Sequence, residues 1–155
     1  MSEVTLEQVQ AKQAELAALI ARLTAPAAVP TILQVPAATI ELQPGERYAG
    51  VLLNDDCSVR AHLVLMAAKS DEKLIWQDAM DWAKGVGGEL PSRQEMALLF
   101  ANCRDHMEKD DWQWSRDTHE SDASSAWYCF FTLGYVSFNR ISYEGRARAV
   151  RRFIP

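Results

Sequence analysis

The uneven distribution of aromatic residues and glycines constrains the fold of this chain more than any other feature of its sequence. All five tryptophans, four tyrosines, five phenylalanines and seven glycines lie within 45–155 of the 155 residues. Aromatic side chains bury most of the apolar surface of a core, and glycines mark tight turns. The sequence therefore predicts one aromatic domain over 45–155, preceded by a helix over 1–24 and a linker over 25–44.

The N-terminal segment has the pattern of an oligomerising helix. Apolar residues recur with 3-4-3-4-3 spacing, which fills the a and d positions of about three heptads. The seam consists of Leu6, Val9, Gln13, Leu16, Ile20 and Leu23. An isolated helix of this length is marginally stable, and burial of the seam against other copies stabilises it. Leu19 widens the apolar stripe and favours a trimer, while the polar Gln13 fixes the register. The alternative is an amphipathic helix that packs on its own domain.

The segment 25–44 reads as a semi-extended spacer, because four prolines lie among its alanines and valines. Within it, Thr39–Leu42 alternates between polar and apolar residues and predicts a short strand, and Pro44-Gly45 predicts a turn.

The domain itself reads as α+β, with its helices grouped between strands. Two apolar segments joined by a polar turn predict a hairpin, a Trp76-x-x-Ala79 pattern ending in glycines predicts a helix, and the Ser92-x-x-Glu95 capping box opens a second helix. The expected strands are 48–53, 61–66, 127–131, 136–140 and 146–153. Four aromatic residues are expected in the core: Trp76, Trp82, Trp127 and Phe131.

Several motifs in this order resemble a known family. They are Trp76-x-x-Ala79-x-x-Trp82-Ala83, Gly87-Gly88-Glu89-Leu90-Pro91-Ser92-Arg93-x-Glu95, Leu98-Leu99-Phe100, Trp112-Gln113-Trp114-Ser115, Ala126-Trp127-Tyr128 and Arg146-Ala147-Arg148-Ala149-Val150-Arg151. Residues 45–154 are similar to C-type-lectin-like domains of the kind found at the C-terminus of collagen-like adhesins and in their phage tail relatives. The calcium-binding tripeptides Glu-Pro-Asn and Trp-Asn-Asp are absent, so the resemblance implies the lectin-like topology without calcium-dependent sugar binding.

A ligand surface is expected on the late hairpin. Tyrosine offers contact area at low entropic cost, and small polar residues adapt their hydrogen bonds. The predicted contact residues are Tyr135, Ser137, Asn139, Arg140 and Tyr143. The family resemblance agrees, since related diversified binders carry their variable ligand face on the corresponding hairpin. The alternative is an exposed hairpin without a partner.

No catalytic group, metal site or cofactor is expected. Three widely spaced cysteines (Cys57, Cys103 and Cys129) do not make a disulfide framework, and the pair Cys103 and His106 falls on one helix face by chance. The acidic residues of 105–122 lack the ligand spacing of a calcium loop and read as a solvated loop. The basic tail is expected to pair with that loop or with a neighbouring subunit; it comprises Arg146, Arg148, Arg151 and Arg152.

Composition and charge limit the classes of partner that the chain is expected to bind. A net charge of −5 argues against general nucleic-acid binding, and no apolar run approaches the ~20 residues that span a bilayer. The polar N-terminus does not read as a secretory signal. Together with the resemblance, these features predict a trimeric, non-enzymatic protein of a phage tail or baseplate, assembled in the bacterial cytoplasm, which contacts other tail proteins and a host cell-surface receptor. The alternatives are a structural virion connector or assembly protein, and an enzyme like the formylglycine-generating members of this broad fold, which depend on reactive cysteines.

Overall fold

The computed structural model describes residues 5–24 and 37–155 and has an α+β architecture, as the sequence predicts. The chain divides into two units, Met1–Val35 and Pro36–Pro155. The helices are α1 (Leu6–Thr24), α2 (Trp76–Gly85) and α3 (Arg93–Cys103), followed by a single 3₁₀ turn (Arg104–His106). The strands are β1 (Arg47–Leu53), β2 (Val59–Lys69), β3 (Gln113–His119), β4 (Asp122–Phe130), β5 (Tyr135–Arg140) and β6 (Arg148–Phe153).

Helix α1 begins with a reciprocal cap. The Thr5 backbone N–H donates to Gln8 Oε1, and the Gln8 backbone N–H donates to Thr5 Oγ1, so a threonine and a glutamine three residues later satisfy each other. None of the helix residues is buried. The exposed fractions are 50% or more at five of the six seam positions, Leu6, Val9, Leu16, Ile20 and Leu23. The helix therefore carries its predicted apolar seam on its surface.

The first sheet has the order β1-β2-β6 and is antiparallel throughout. Its central strand β2 pairs with its neighbour in the hairpin and with the last strand of the domain, so that Leu65 lies opposite Val150. Buried residues of this sheet, including Ala49 and Leu63, pack with Met96 and Leu99 of α3 in one core cluster. The predicted first hairpin and final strand are both present.

Helix α3 starts where its sequence predicts. Ser92 Oγ accepts the Glu95 backbone N–H, and the Glu95 carboxylate accepts the Ser92 backbone N–H at 2.7 Å. This is the capping box expected from the sequence.

The second sheet has the order β3-β4-β5. Its buried anchor is Trp114, whose side chain is fully covered and whose Nε1–H donates to the Leu74 carbonyl at 2.9 Å. Trp112 lies edge-on against it, with 4.5 Å between ring centroids. A Cβ atom at Gly145 would overlap the Trp112 ring. Glycine is therefore required where the chain crosses this ring.

Two sequence expectations need correction, and one strand was missed. Residues 37–43 contain no strand, so the alternation in Thr39–Leu42 is not a strand signal. Strand β3 was not assigned from sequence, because its second half is polar. Trp127 is half-buried on an outer face, whereas Trp114 and Phe131 are fully buried. Most of the predicted linker, 25–36, lies outside the described residues.

Candidate functional site

The late hairpin consists of β4 and β5, joined through a turn at Gly134. The backbone of Gly134 has φ +69°, a conformation that L side chains rarely adopt, and its Cα approaches the Phe100 ring so closely that a Cβ would lie 2.7 Å from it. The register then runs directly from Phe130 opposite Tyr135 to Ser125 opposite Arg140. The strand is an edge strand of a packed sheet, which gives its side chains a rigid base.

The strand conformation of β5 separates the predicted contact residues. Side chains alternate between the two faces of a strand, so Tyr135, Ser137 and Asn139 share one face, while Arg140 lies on the other. Tyr143 lies beyond the strand, in a turn closed by its N–H to the Arg140 carbonyl. Tyr135 and Tyr143 are more than half exposed. The structure therefore exposes the predicted tyrosines but does not bring all five residues to one face.

The face that carries Arg140 also carries an aromatic cluster, defined here as His119, Trp127 and Phe138. The His119 ring centroid lies 4.3 Å from that of Phe138 and 5.2 Å from that of Trp127. The guanidinium of Arg93 lies 3.6 Å from the Trp127 centroid, a cation–π contact. Phe138 remains 47% exposed. Sequence reasoning missed this cluster because it placed Trp127 in the core.

Beside this cluster lies an open cleft of about 880 Å³. Four arginines from four separate elements line it, and we call it the arginine cleft: Arg60 of β2, Arg93 of α3, Arg116 of β3 and Arg152 of β6. Its apolar wall includes Leu52, Val136 and Ile154. Arg93 also stacks on the aromatic cluster, so the cleft and the exposed face of β5 form one continuous surface.

A buried ion pair forms the floor of the arginine cleft. Glu95 is 2% exposed, and its two oxygens accept from Arg152 Nε at 2.5 Å and Arg152 Nη2 at 2.7 Å. Burial alone raises the pKa of the Glu95 carboxyl, but hydrogen bonds from Arg152 and the Ser92 N–H outweigh it and hold that pKa below its usual value. Glu95 is thus a fixed anion that links α3 to β6.

Surface carboxylates orient Arg93 and Arg116, whereas Arg60 donates to the amide oxygen of Gln94 at 2.9 Å. Glu89 Oε2 accepts from Arg116 Nη1 at 2.9 Å and from Arg152 Nη1 at 2.5 Å. Arg93 Nη1 donates to Glu120 at 2.8 Å. Exposed pairs such as these add little to stability, but they hold the guanidinium groups in place.

Of the two partners expected for the basic tail, the acidic loop is wrong, and pairing with a neighbouring subunit stays a prediction. Arg151 pairs with Glu46, and Arg152 pairs with Glu89 and Glu95. Arg148 is buried, and its Nη2 donates to the Met66 carbonyl at 3.1 Å. The segment 105–122 does lie beside the start of the tail, since the Trp114 N–H donates to the Arg146 carbonyl. The ion pairs of the tail nevertheless involve carboxylates of other segments, Glu46, Glu89 and Glu95.

The two buried cysteines, Cys103 and Cys129, lack the properties of nucleophiles. Burial raises the pKa of the Cys129 thiol to about 11 and also raises the pKa of the Cys103 thiol. A reactive cysteine requires the opposite shift, toward the thiolate. Over residues 5–24 and 37–155, no group of three or more histidine, cysteine or acidic residues is placed to hold a metal ion. No helix in the same ranges is long and apolar enough to span a membrane.

Comparison with known proteins does not assign a family. No protein-family model matches the sequence, and no curated protein matches it at a significant level.

Proposed function

We propose that this chain is a non-enzymatic binding protein whose residues 45–155 form a C-type-lectin-like domain. The support is the order of elements together with the sequence motifs. The first and last strands of the domain share one sheet, two helices follow the first hairpin, and a second sheet is built from the later strands. This α+β order of elements is compatible with the topology that the resemblance implies. Two motif residues have structural roles that support the proposal, since Trp114 is a buried anchor and Ser92 caps α3.

The observation that carries the binding proposal is the surface made by β5 and the arginine cleft. Phe138 is exposed on the face of β5 beside the cleft, which is large enough for a small ligand. Tyr135 is exposed on the opposite face, and Tyr143 is exposed in the turn after β5. Aromatic and arginine side chains supply most of the binding energy in recognition surfaces. The contact groups are solvent-exposed and lie on or next to a hydrogen-bonded sheet, which is an arrangement that binding proteins use.

Helix α1 supports the proposal that the protein is a homotrimer. Its apolar seam is exposed, and burial of about 25 cal/mol per Å² of apolar surface would stabilise a bundle of three such helices. Three domains on one stem gain avidity, because the second and third contacts form at a raised effective concentration. The trimer then binds more tightly than a single domain, even where each domain binds weakly.

The biological setting in this proposal is the tail or baseplate of a phage. Its basis is the resemblance to phage tail relatives of the adhesin domains. In that setting α1 joins three chains and contacts neighbouring tail proteins, and the lectin-like domains face a receptor on the host cell.

The experiment compares adhesion of purified protein to candidate host cells with that of paired variants. Tyr135→Ala with Asn139→Ala removes contacts from one face of β5, and Phe138→Ala with Arg140→Ala removes contacts from the other. Tyr48→Ala, an exposed tyrosine of the first sheet, is the matched control. We expect at least one β5 pair to abolish adhesion while the control retains it.

Adhesion that is unchanged in both β5 pairs would refute the proposed ligand face. Absence of adhesion by the unmodified protein to every cell type would favour the structural connector instead. A separate measurement, the mass in solution of the full chain and of a chain starting at Gly45, tests the stem. We expect the full chain to be a trimer and the chain starting at Gly45 to be a monomer. The same oligomeric state for both chains would contradict the role of α1.

A further inference from the structure

We infer that the arginine cleft binds an oxyanion, a carboxylate or phosphate group carried on a sugar-sized molecule. The inference deepens the proposed function, because it names the ligand chemistry of that surface. The unused guanidinium donors of the cleft and its apolar wall support this ligand chemistry.

Two arginines of the cleft retain most of their hydrogen-bonding capacity. Arg60 donates from Nη2 to Gln94 at 2.9 Å, and Arg116 donates from Nη1 to Glu89 at 2.9 Å. A guanidinium has five N–H donors in a planar fork. Each of these side chains makes one side-chain hydrogen bond among the described residues, so further donors remain for a ligand. A carboxylate or phosphate accepts such a fork through two oxygens.

The cleft is less acidic than the chain as a whole, which carries −5. Its lining holds four arginines and three carboxylates, those of Glu95, Asp117 and Glu120. Glu89 adds a fourth carboxylate, which accepts from Arg116 and Arg152, and Glu120 pairs with Arg93. Arg60 is the one cleft arginine that makes no ion pair with a carboxylate among the described residues, because it donates to Gln94. An anionic ligand would supply the partner that this guanidinium lacks.

Helix α3 begins at the cleft, but it does not supply the site. Its first turn is capped by Ser92 and by Asp117, so several of the N–H groups that bind anions at other helix ends already have acceptors. The guanidinium groups therefore do the binding.

The apolar wall fits the remainder of the ligand. Leu52, Val136 and Ile154 line the same cleft as the arginines. The volume of about 880 Å³ lies within the range of small-molecule sites. An oxyanion on a ring compound can thus place its charge on Arg60 and Arg116 and its carbon face against this wall.

The test uses the full chain and three probes in calorimetric titration: an oligogalacturonate with carboxylates, a glycerol phosphate oligomer, and neutral maltotriose. Binding of at least one anionic probe, weakened by salt, is expected without binding of maltotriose. Arg60→Gln and Arg116→Gln should each lower the affinity about tenfold or more. Arg60→Lys keeps the charge but loses the fork and should also bind more weakly. Arg22→Gln, which removes the same charge from α1, is the matched control.

The outcomes separate this inference from the proposed function. Binding of neither anion, equal binding of maltotriose, or equal effects of Arg60→Gln, Arg116→Gln and Arg22→Gln would overturn the inference. If cell adhesion depends on β5 but resists both arginine variants and competing anion, the inference fails and the proposed function stands. If the anions bind through the arginines but no cell is bound, the proposed function fails and the inference stands. The anion that binds more tightly identifies the source as carboxylate or phosphate.

Discussion

Replacing Glu95 with glutamine tests whether the buried ion pair holds β6 against α3. The carboxylate is 2% exposed and makes two hydrogen bonds with Arg152, at 2.5 and 2.7 Å. Glutamine retains an oxygen that accepts the Ser92 N–H, so the capping box persists while the charge is removed. With that oxygen toward Ser92, the amide NH₂ group faces Arg152 Nε, so the substitution removes the charge and also the acceptor of one Arg152 hydrogen bond.

The expected cost follows from what remains around Arg152. Removing one partner of a buried pair costs about 3–5 kcal/mol, because the other charge stays buried. The Arg152 side chain is 18% exposed and retains its ion pair with Glu89, with 2.5 Å between Nη1 and Oε2. This remaining pair offsets part of the cost. We therefore expect the free energy of unfolding to fall by about 2–3 kcal/mol, which corresponds to a drop in Tm of roughly 10 °C for a domain of this size. Glu89→Gln, at a half-exposed carboxylate, should cost less than about 1 kcal/mol.

The same pair gives the protein a defined sensitivity to acid. The pKa of Glu95 is lowered in the folded state, so its contribution is complete above the pKa of the unfolded chain and is lost as the pH falls through the folded pKa. Urea unfolding followed by tryptophan fluorescence at pH 7 and at pH 4 measures both effects. Glu95→Gln should lose less stability than the unmodified protein between these pH values. A variant within about 0.5 kcal/mol of the unmodified protein at pH 7, or with the same acid dependence, would refute the reasoning.

Two other predictions concern close packing and thiol reactivity. Gly145→Ala should destabilise the domain by about 1–3 kcal/mol, because its Cβ overlaps a packed tryptophan ring; Gly85→Ala, which meets open space at the end of α2, should be neutral or slightly stabilising in the same thermal unfolding assay. In the native protein, a maleimide should label Cys57 alone, since Cys103 and Cys129 are buried. Labelling of all three thiols at the rate seen in urea would contradict the described core.

Local signals in the sequence predicted the elements well. The capping box at Ser92 fixes the start of α3, and Pro44-Gly45 marks the turn before β1. Both signals work because their hydrogen bonds or dihedral angles involve residues close in sequence. The apolar seam of α1 was predicted in the same way, from spacing alone.

The candidate surface was predicted only in part, because it is assembled from distant segments. The alternation in β5 was visible in the sequence. Strand geometry places Arg140 and Tyr135 on opposite faces, but the sequence prediction treated them as one contact surface. The arginine cleft draws on β2, α3, β3 and β6. Trp127 shows the same difficulty, since an aromatic residue in an apolar run is buried or exposed according to which neighbour covers it.

The pairing of β2 with β6 also determines the order in which the domain can fold. Leu65 and Val150 meet across the first sheet although roughly eighty residues separate them, and closing so long a loop carries an entropic cost before any contact compensates for it. The three hairpins (β1–β2, β3–β4 and β4–β5) and the helices need only nearby residues, so we expect them to form early. We expect the first core cluster to stay open along one side of β2 until β6 pairs with it. Non-local pairing of this kind slows folding. During that interval the unpaired edge of β2 is the part of the protein most exposed to association with other chains.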